Sequence, residues 1–174
     1  MKKRKFIFAS MCLFVMLAAN SQEIFHKGTN VGNLGIGLGS YIPVEVSFEH
    51  GIIDGLIGGN NGSIGIGGYA AWYSHSDSYD YGKWVYNNIL IGVRGSFHYQ
   101  FVKKLDTYAG LMLGYDIASS KWDGPSGYDA AASASGIGFS LYAGARYYFQ
   151  PTFGVYGELG YGIAYLSVGV TKKF

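Results

Sequence analysis

Ionisable side chains occupy alternate positions of several apolar segments, where one face of an extended chain would bring them together. This set is predicted to form a polar network: Glu45, Glu49, Arg94, His98, Asp116, Arg146 and Glu158. Arginine–carboxylate forks can satisfy buried charge, and tyrosine hydroxyls can complete such a network. We expect Arg146 to pair with Glu158 across the turn at residues 150–152. We interpret the network as side-chain packing that fills the interior of a closed sheet. The alternative is that these side chains line a narrow path for small solutes.

One short segment holds the residue types of a hydrolytic site. Ser74-His75-Ser76-Asp77-Ser78 combines hydroxyl, imidazole and carboxylate groups, which lipid-modifying barrels carry near their outer rim. A nucleophile needs a base within hydrogen-bond reach and a third group that orients the base. Five consecutive loop residues cannot fix that geometry, so no catalytic residue is predicted. A lipid-modifying enzyme is therefore the third possible function, after a structural or surface-interaction protein and a narrow solute channel. Metal-ligand spacing is also missing, and neither metal nor cofactor is expected.

Aromatic residues in two polar segments are the candidates for recognition. The segments span residues 74–84 and 119–135 and mix aromatics with Gly, Ser and Asp, a composition suited to adaptable surface contacts. The recognition candidates are Tyr79, Tyr81, Trp84, Trp122 and Tyr128. Their function would be structural or surface interaction with an extracellular partner of unknown identity.

These residues need elements to position them, and the two-residue period of the chain supplies strands. Eight segments alternate apolar and polar positions; in the fourth, Ile89, Ile91 and Val93 oppose Asn88 and Arg94. Strands of roughly 9–11 residues can cross a membrane when they close into a barrel. Breaks are expected at residues 51–62, 74–84, 102–106, 119–135 and 150–152. The prediction is an all-β protein, an eight-stranded antiparallel transmembrane up-and-down β-barrel.

Aromatic residues on the apolar face cluster at the strand ends, as at the two lipid–water interfaces of a membrane barrel. One predicted girdle contains Phe48, Phe97, Tyr99, Phe101, Tyr147, Phe149, Phe153 and Phe174. The other contains Trp72, Trp84, Tyr115 and Tyr161. With both termini on the periplasmic side, the two polar segments would face outward, whereas the long break at residues 51–62 departs from that asymmetry.

The N-terminus reads as a secretory signal. Four basic residues precede an apolar stretch at residues 6–18, and small residues predict cleavage after Ser21. Residues 1–21 are therefore predicted to be a signal peptide, and residues 22–174 the barrel domain. The signal removes the lone cysteine, Cys12, and four of the 13 Lys and Arg residues, leaving nine against 11 Asp and Glu. A mature net charge of about −2 does not indicate a nucleic-acid partner.

The last strand alternates up to a terminal aromatic, Phe174. Together with Gly35-Ile-Gly-Leu-Gly-Ser40 and Gly92-Val-Arg-Gly-Ser-Phe-His-Tyr-Gln-Phe101, it resembles the small OmpX/OmpA-type porin-like outer-membrane barrels, most similarly those of Bacteroidetes. The resemblance implies a monomer in the cell outer membrane, surrounded by outer-membrane lipid. It also implies that the barrel-insertion machinery reads the strand ending in Phe174. One departure is Lys172, where the resemblance favours an apolar residue.

Overall fold

Eight antiparallel strands form a closed ring in the computed structural model, which describes residues 24–57, 61–124, 131–162 and 164–174. The strands are β1 Asn30–Leu38, β2 Val44–Leu56, β3 Gly62–Tyr79, β4 Gly82–Val102, β5 Leu105–Asp123, β6 Ala131–Tyr148, β7 Phe153–Tyr161 and β8 Leu166–Lys173. Each strand pairs with its sequence neighbours, and β1 pairs with β8 from Val31↔Lys173 to Leu38↔Leu166. The predicted fold class, an up-and-down eight-stranded barrel, is confirmed.

The alternation places apolar side chains on the outside of the ring. Leu34, Val93 and Leu113 are 56%, 62% and 57% exposed, whereas their polar neighbours are buried inside. A soluble barrel would invert this arrangement, so the exterior suits lipid and the interior holds the polar groups. Among the described residues, no helix is long and apolar enough to cross a membrane.

The barrel has two unlike ends. The end that carries Asn30, Phe174 and the β4–β5 and β6–β7 turns is called the terminal end, and the opposite one the extended end. Strands β3 to β6 have 18 to 21 residues, whereas β1, β7 and β8 have eight or nine. The four long strands therefore form a wall that rises above one side of the barrel mouth.

Several predicted loops are strands. Residues 74–79 of β3 pair with residues 82–87 of β4, and β5 and β6 stay paired up to Lys121↔Ala131. β2 continues through two register shifts to Leu56, which shortens the predicted break at residues 51–62. The loop prediction was wrong because polarity was taken as a sign of irregular backbone. A hairpin that lies in water can have two polar faces while cross-strand hydrogen bonds satisfy its backbone.

Three of the four residues predicted for the girdle nearer the extended end face outward, and the fourth does not. Trp72, Tyr115 and Tyr161 face outward and are about half exposed or more. Trp84 does not join them, because it lies one position off the outward-facing series of β4. It pairs with Asp77 and with Trp122, on the inward-facing side of the wall.

Candidate functional site

Four ionisable groups meet in a closed arrangement inside the barrel near the terminal end, the charged ring. Arg146 binds Asp106 at 3.0 Å and Glu49 at 2.5 Å, and His98 binds the same two carboxyl groups at 2.8 Å and 2.9 Å. Arg146 and Glu49 are both 0% exposed. The charged ring includes residues of β2, β4, β5 and β6, so it connects strands on opposite sides of the barrel.

The contacts of His98 determine its charge. Its Nδ1 lies beside Asp106 Oδ1 and its Nε2 beside Glu49 Oε1. For both contacts to be hydrogen bonds with ionised carboxylates, both imidazole nitrogens of His98 must donate. His98 is therefore present in the charged ring as an imidazolium. Two cations then face two anions, and the buried group is neutral as a whole. Burial of charge is tolerable only under such complete pairing.

A second ion pair lies nearer the extended end. Arg94 Nη2 donates to Glu158 Oε2 at 2.6 Å, and the Tyr108 hydroxyl donates to the same oxygen at 3.0 Å. The Arg94 guanidinium also lies 3.9 Å from the ring centroid of Tyr142. The predicted pairing of Arg146 with Glu158 is wrong: Glu158 is opposite Gly144, and Arg146 extends instead to the charged ring.

Glu45 is held by hydroxyl groups. Tyr69, Tyr156 and Ser167 donate to its carboxylate at 2.8, 2.8 and 3.1 Å. Within the described part of the chain, no ion pair includes this carboxylate. The hydroxyl donors come from β3, β7 and β8, so a carboxylate on β2 joins strands on both of its sides.

Glycines provide space for the tyrosines of this interior. A Cβ at Gly35 would collide with the Tyr156 hydroxyl, and one at Gly110 would lie 2.5 Å from the Tyr142 hydroxyl. Larger residues at these two positions would push tyrosine rings out of the network.

The chain before β1 closes the terminal end of the interior. Phe25 is 2% exposed and stacks on His98 with 3.8 Å between the ring centroids. Ser63 Oγ donates to the Phe25 carbonyl at 2.8 Å, and the Ile24 amide donates to Gln100 Oε1 at 2.6 Å. Residues 24–29, called the N-terminal plug, thus cover the charged ring.

Asp116 does not belong to either ion-pair group. It lies on the same face of β5 as Asp106, but nearer the extended end. A cluster of buried side chains, called the apolar layer, lies between it and the charged ring, and the hydroxyls of its tyrosines bind neighbouring polar groups. The apolar layer consists of Tyr69, Ala71, Leu90, Tyr108, Met112 and Tyr142. Of the residues predicted as one network, six therefore lie within three interior groups, and Asp116 stands apart.

Asp116 lines a cavity of about 290 Å³ at the extended end, called the vestibule. The vestibule is lined by Leu90, Met112, Asp116, Ala118, Ala134, Ser135, Gly136, Ile137, Gly138, Phe139 and Gly162. A neighbouring cavity of about 340 Å³ shares Gly162 and is lined chiefly by Tyr41, Tyr73, Tyr161 and Tyr165.

Aromatic rings follow the inward-facing side of the wall. His75 lies between Tyr41 and Tyr86, with centroid distances of 4.2 and 4.6 Å. Trp122 contacts Trp84 at 5.6 Å and Tyr79 at 6.5 Å. This set, with Tyr73, is called the aromatic face.

The recognition candidates occupy different places. Tyr81 is 82% exposed in the β3–β4 turn, whereas Tyr79, also exposed, ends β3 and belongs to the aromatic face. Trp84 and Trp122 belong to the aromatic face. Tyr128 lies outside the described residues.

The serine, histidine and aspartate side chains of residues 74–78 do not lie on one face of β3. His75 and Asp77 lie on the inward-facing side of β3, whereas the three serines alternate onto the other side. Ser74 Oγ donates to the Tyr86 carbonyl, not to an imidazole. In the part of the chain that the structure describes, no three His, Cys, Asp or Glu side chains are grouped to hold a metal ion.

Sequence reasoning missed several contributors to the interior. Asp106 was assigned to a turn, although it shares its parity with the inward-facing Tyr108. Phe25 precedes the first alternating segment, so periodicity gave no signal for it. Leu90 and Met112 are apolar residues at inward-facing positions, which identifies them only once the strand parity is known.

Lys172 faces outward among the aromatics of the terminal end. It pairs with Phe153, and its ammonium lies 5.1 Å from the Phe174 ring centroid. A lysine at the level of the girdle can extend its charge towards lipid phosphates while its stem stays in apolar surroundings. Its departure from the apolar pattern is therefore compatible with the barrel exterior.

Comparison with known proteins gives a fold and no family. No family model matches the chain, and no curated protein matches it. Two structures of Ail, the attachment invasion locus protein of Yersinia pestis, are similar at 14% identity over 84% of this chain and 95% of Ail. The TM-score is 0.48 for one and 0.53 for the other, a complex with the heparin analogue sucrose octasulfate. At this identity the likeness shows the eight-stranded barrel fold.

Proposed function

We propose that this chain is an outer-membrane protein whose extended end recognises a partner at the cell surface. The observation that carries the proposal is the wall: β3 and β4 continue in register from Trp72↔Ile89 to Tyr79↔Gly82. At about 3.3 Å per residue, these seven further pairs rise roughly 20 Å above the Trp72 level. An ordered wall presents fixed side chains, which reduces the entropy lost on binding.

The outer-membrane location is supported by the exterior of the ring. Outward-facing aliphatics lie between aromatics at both ends, as a bilayer requires. The predicted signal peptide, residues 1–21, lies outside the described residues and stays a prediction, as does the relation to barrels of Bacteroidetes. β8 closes the ring on β1 and is followed directly by the exposed Phe174, which supports its use by the insertion machinery.

The charge of the extended end restricts the kind of partner. Its described residues include Asp77, Asp80, Asp116 and Asp123 but only Lys83 and Lys121, one of which is paired at 3.4 Å. Ail binds a polyanion in one of its structures, and this acidic balance argues against the same ligand class here. A neutral or basic partner surface fits better.

A channel is less well supported than recognition. Phe25, the charged ring and then the apolar layer, with the Arg94–Glu158 pair among its tyrosines, fill the interior. Eight strands enclose a space that side chains can fill. The separation of serine from His75 and Asp77 likewise supports a non-enzymatic role.

Shortening the wall tests the proposal. Deleting residues 74–77 and 84–87 removes four cross-strand pairs but keeps the β3–β4 turn and the strand parity. Adhesion of cells that produce either protein would be compared on immobilised collagen, fibronectin and laminin. We expect the wild-type barrel to increase adhesion to at least one surface and the shortened barrel to lose at least half of that increase.

Two controls make the result interpretable. An epitope inserted between Asp80 and Tyr81 should be labelled on intact cells, and both proteins should show heat-dependent mobility on denaturing gels. Equal adhesion of the two proteins at equal surface amounts would contradict recognition by the wall. Labelling only after the cells are opened would contradict the proposed orientation.

A further inference from the structure

The vestibule contains one charged side chain with an unmet hydrogen-bonding capacity. Asp116 Oδ1 is buried, and among the described residues no donor reaches it. Asp116 also takes part in none of the ion pairs in the described chain. A buried carboxylate oxygen without a donor is unfavourable, because it has lost water and gained no partner.

The surroundings of Asp116 provide room for a ligand. Gly136 is its cross-strand partner on β6, and a Cβ there would have nothing within 4 Å. Leu90, its partner on β4, and Met112 supply an apolar surface beside the carboxylate. Asp116 is the one charged group among the described residues that line the cavity.

We propose that the vestibule binds a primary ammonium group on an aliphatic stem. The ammonium would donate to the Asp116 carboxylate, whose side chain lines the cavity, and the stem would lie against Leu90 and Met112. A cation is favoured over a neutral hydroxyl compound because the local charge is uncompensated and a charge-assisted hydrogen bond is stronger than a neutral one. The ammonium can come from a free amine or from a lysine side chain of a partner.

This site goes beyond surface recognition by the wall and does not depend on it. Its contacts lie at the level of Leu90 and Asp116, below the residues removed by shortening the wall. The shortened barrel should therefore still bind an amine, and loss of adhesion and loss of amine binding can be observed separately.

The test is an NMR titration of n-butylamine with the full chain refolded in detergent micelles. We expect saturable binding that weakens about tenfold in Asp116→Asn, since the substitution removes a charge-assisted bond without changing the shape. Asp123→Asn is the matched control, because its carboxylate lies on the same strand but is exposed and paired with Lys83. It should bind butylamine as the wild type does.

A second variant protects the test from misfolding. Gly136→Leu fills the cavity and keeps the carboxylate, and it should also abolish saturable binding. Heat-dependent gel mobility would establish that each variant is a folded barrel. n-Butanol should not saturate the site. Wild-type butylamine binding no stronger than that of Asp116→Asn, or unchanged binding in folded Gly136→Leu, would overturn the proposal.

The two sources of the ammonium are separated by a second ligand. Nα-acetyl-lysine-amide carries the same group on a peptide unit, and its Nζ-acetylated form is the neutral control. Binding of the lysine compound alongside butylamine supports a partner's side chain as occupant. Binding of butylamine alone supports a free amine.

Discussion

At the scale of single residues, the interior is organised by how charge is paired. The charged ring gives Arg146 and His98 two carboxylates each, so every described member has at least two partners. Glu158 and Arg94 form a separate group. Removal of one member leaves the others buried without compensation, which costs more than the pair itself contributes.

A double-mutant cycle distinguishes the observed pairs from the expected one. Arg94→Met and Glu158→Gln should show a coupling energy of about 1–3 kcal/mol, because their side chains share a 2.6 Å contact. Arg146→Met with Glu158→Gln should couple by less than about 1 kcal/mol, since the two side chains have separate ion-pair partners and are linked only indirectly, through Tyr108. Urea unfolding in lipid vesicles, followed by tryptophan fluorescence, measures both.

The single substitution gives a further check. Arg146→Met alone should lower the free energy of unfolding by roughly 3–5 kcal/mol, because Glu49 and Asp106 lose their guanidinium. Lys121→Met, at an exposed position, should change it by less than about 0.5 kcal/mol. Similar stability of the two variants would argue that the charged ring is not formed.

At the scale of elements, the N-terminal plug depends on a close approach to β2. Gly28 donates its amide to the Gly51 carbonyl, and the Gly51 amide donates to Thr29. A Cβ at Gly51 would collide with the His26 carbonyl oxygen, so only glycine fits there. β2 thus holds the plug by its backbone, while Phe25 supplies the apolar cover of His98.

Gly51→Ala should displace the plug from the barrel. We expect the Gly28 amide to lose its protection from hydrogen exchange, and the free energy of unfolding to fall by about 3 kcal/mol, as for loss of a buried phenylalanine contact. Gly68→Ala is the control, because the nearest atom to its Cβ would be the Gly92 carbonyl oxygen at 3.9 Å. An unchanged exchange rate at Gly28 in the Gly51 variant would contradict this role.

At the scale of the whole molecule, the barrel has an apolar exterior, a filled interior and one raised side. The closed ring removes strand edges, which lipid could not satisfy. The filled interior leaves the two ends of the barrel as its accessible polar surfaces. The raised side places the aromatic face and the vestibule at the same end.

The refolded protein should not form an open pore. In planar bilayers we expect no reproducible single-channel steps, because the charged ring and Phe25 fill the interior at the terminal end. Gly51→Ala should also remain silent, since the charged ring and the apolar layer stay in place. Discrete conductance steps in the wild type would restore the solute-path alternative.

The alternation of apolar and polar residues is enough to predict a barrel and the face of each strand on which most side chains lie. This is a local property, because a two-residue period assigns each side chain to a face without reference to other strands. The outward position of Leu113 and the inward position of Arg94 follow from it. Polarity alone misjudged residues 74–79, since backbone pairing outside lipid does not require an apolar face.

Which inward-facing groups meet depends on the three-dimensional arrangement of the strands. Glu49 and Arg146 are 97 residues apart and lie on non-adjacent strands, so their contact depends on strand tilt, register and closure. The same long-range geometry brought Asp106 into the charged ring, placed Phe25 over His98 and left Asp116 alone in the vestibule. The two-residue period of a strand assigns each side chain to the inner or outer face of the barrel but not to a level along the barrel axis. Charge pairing in the interior depends on both.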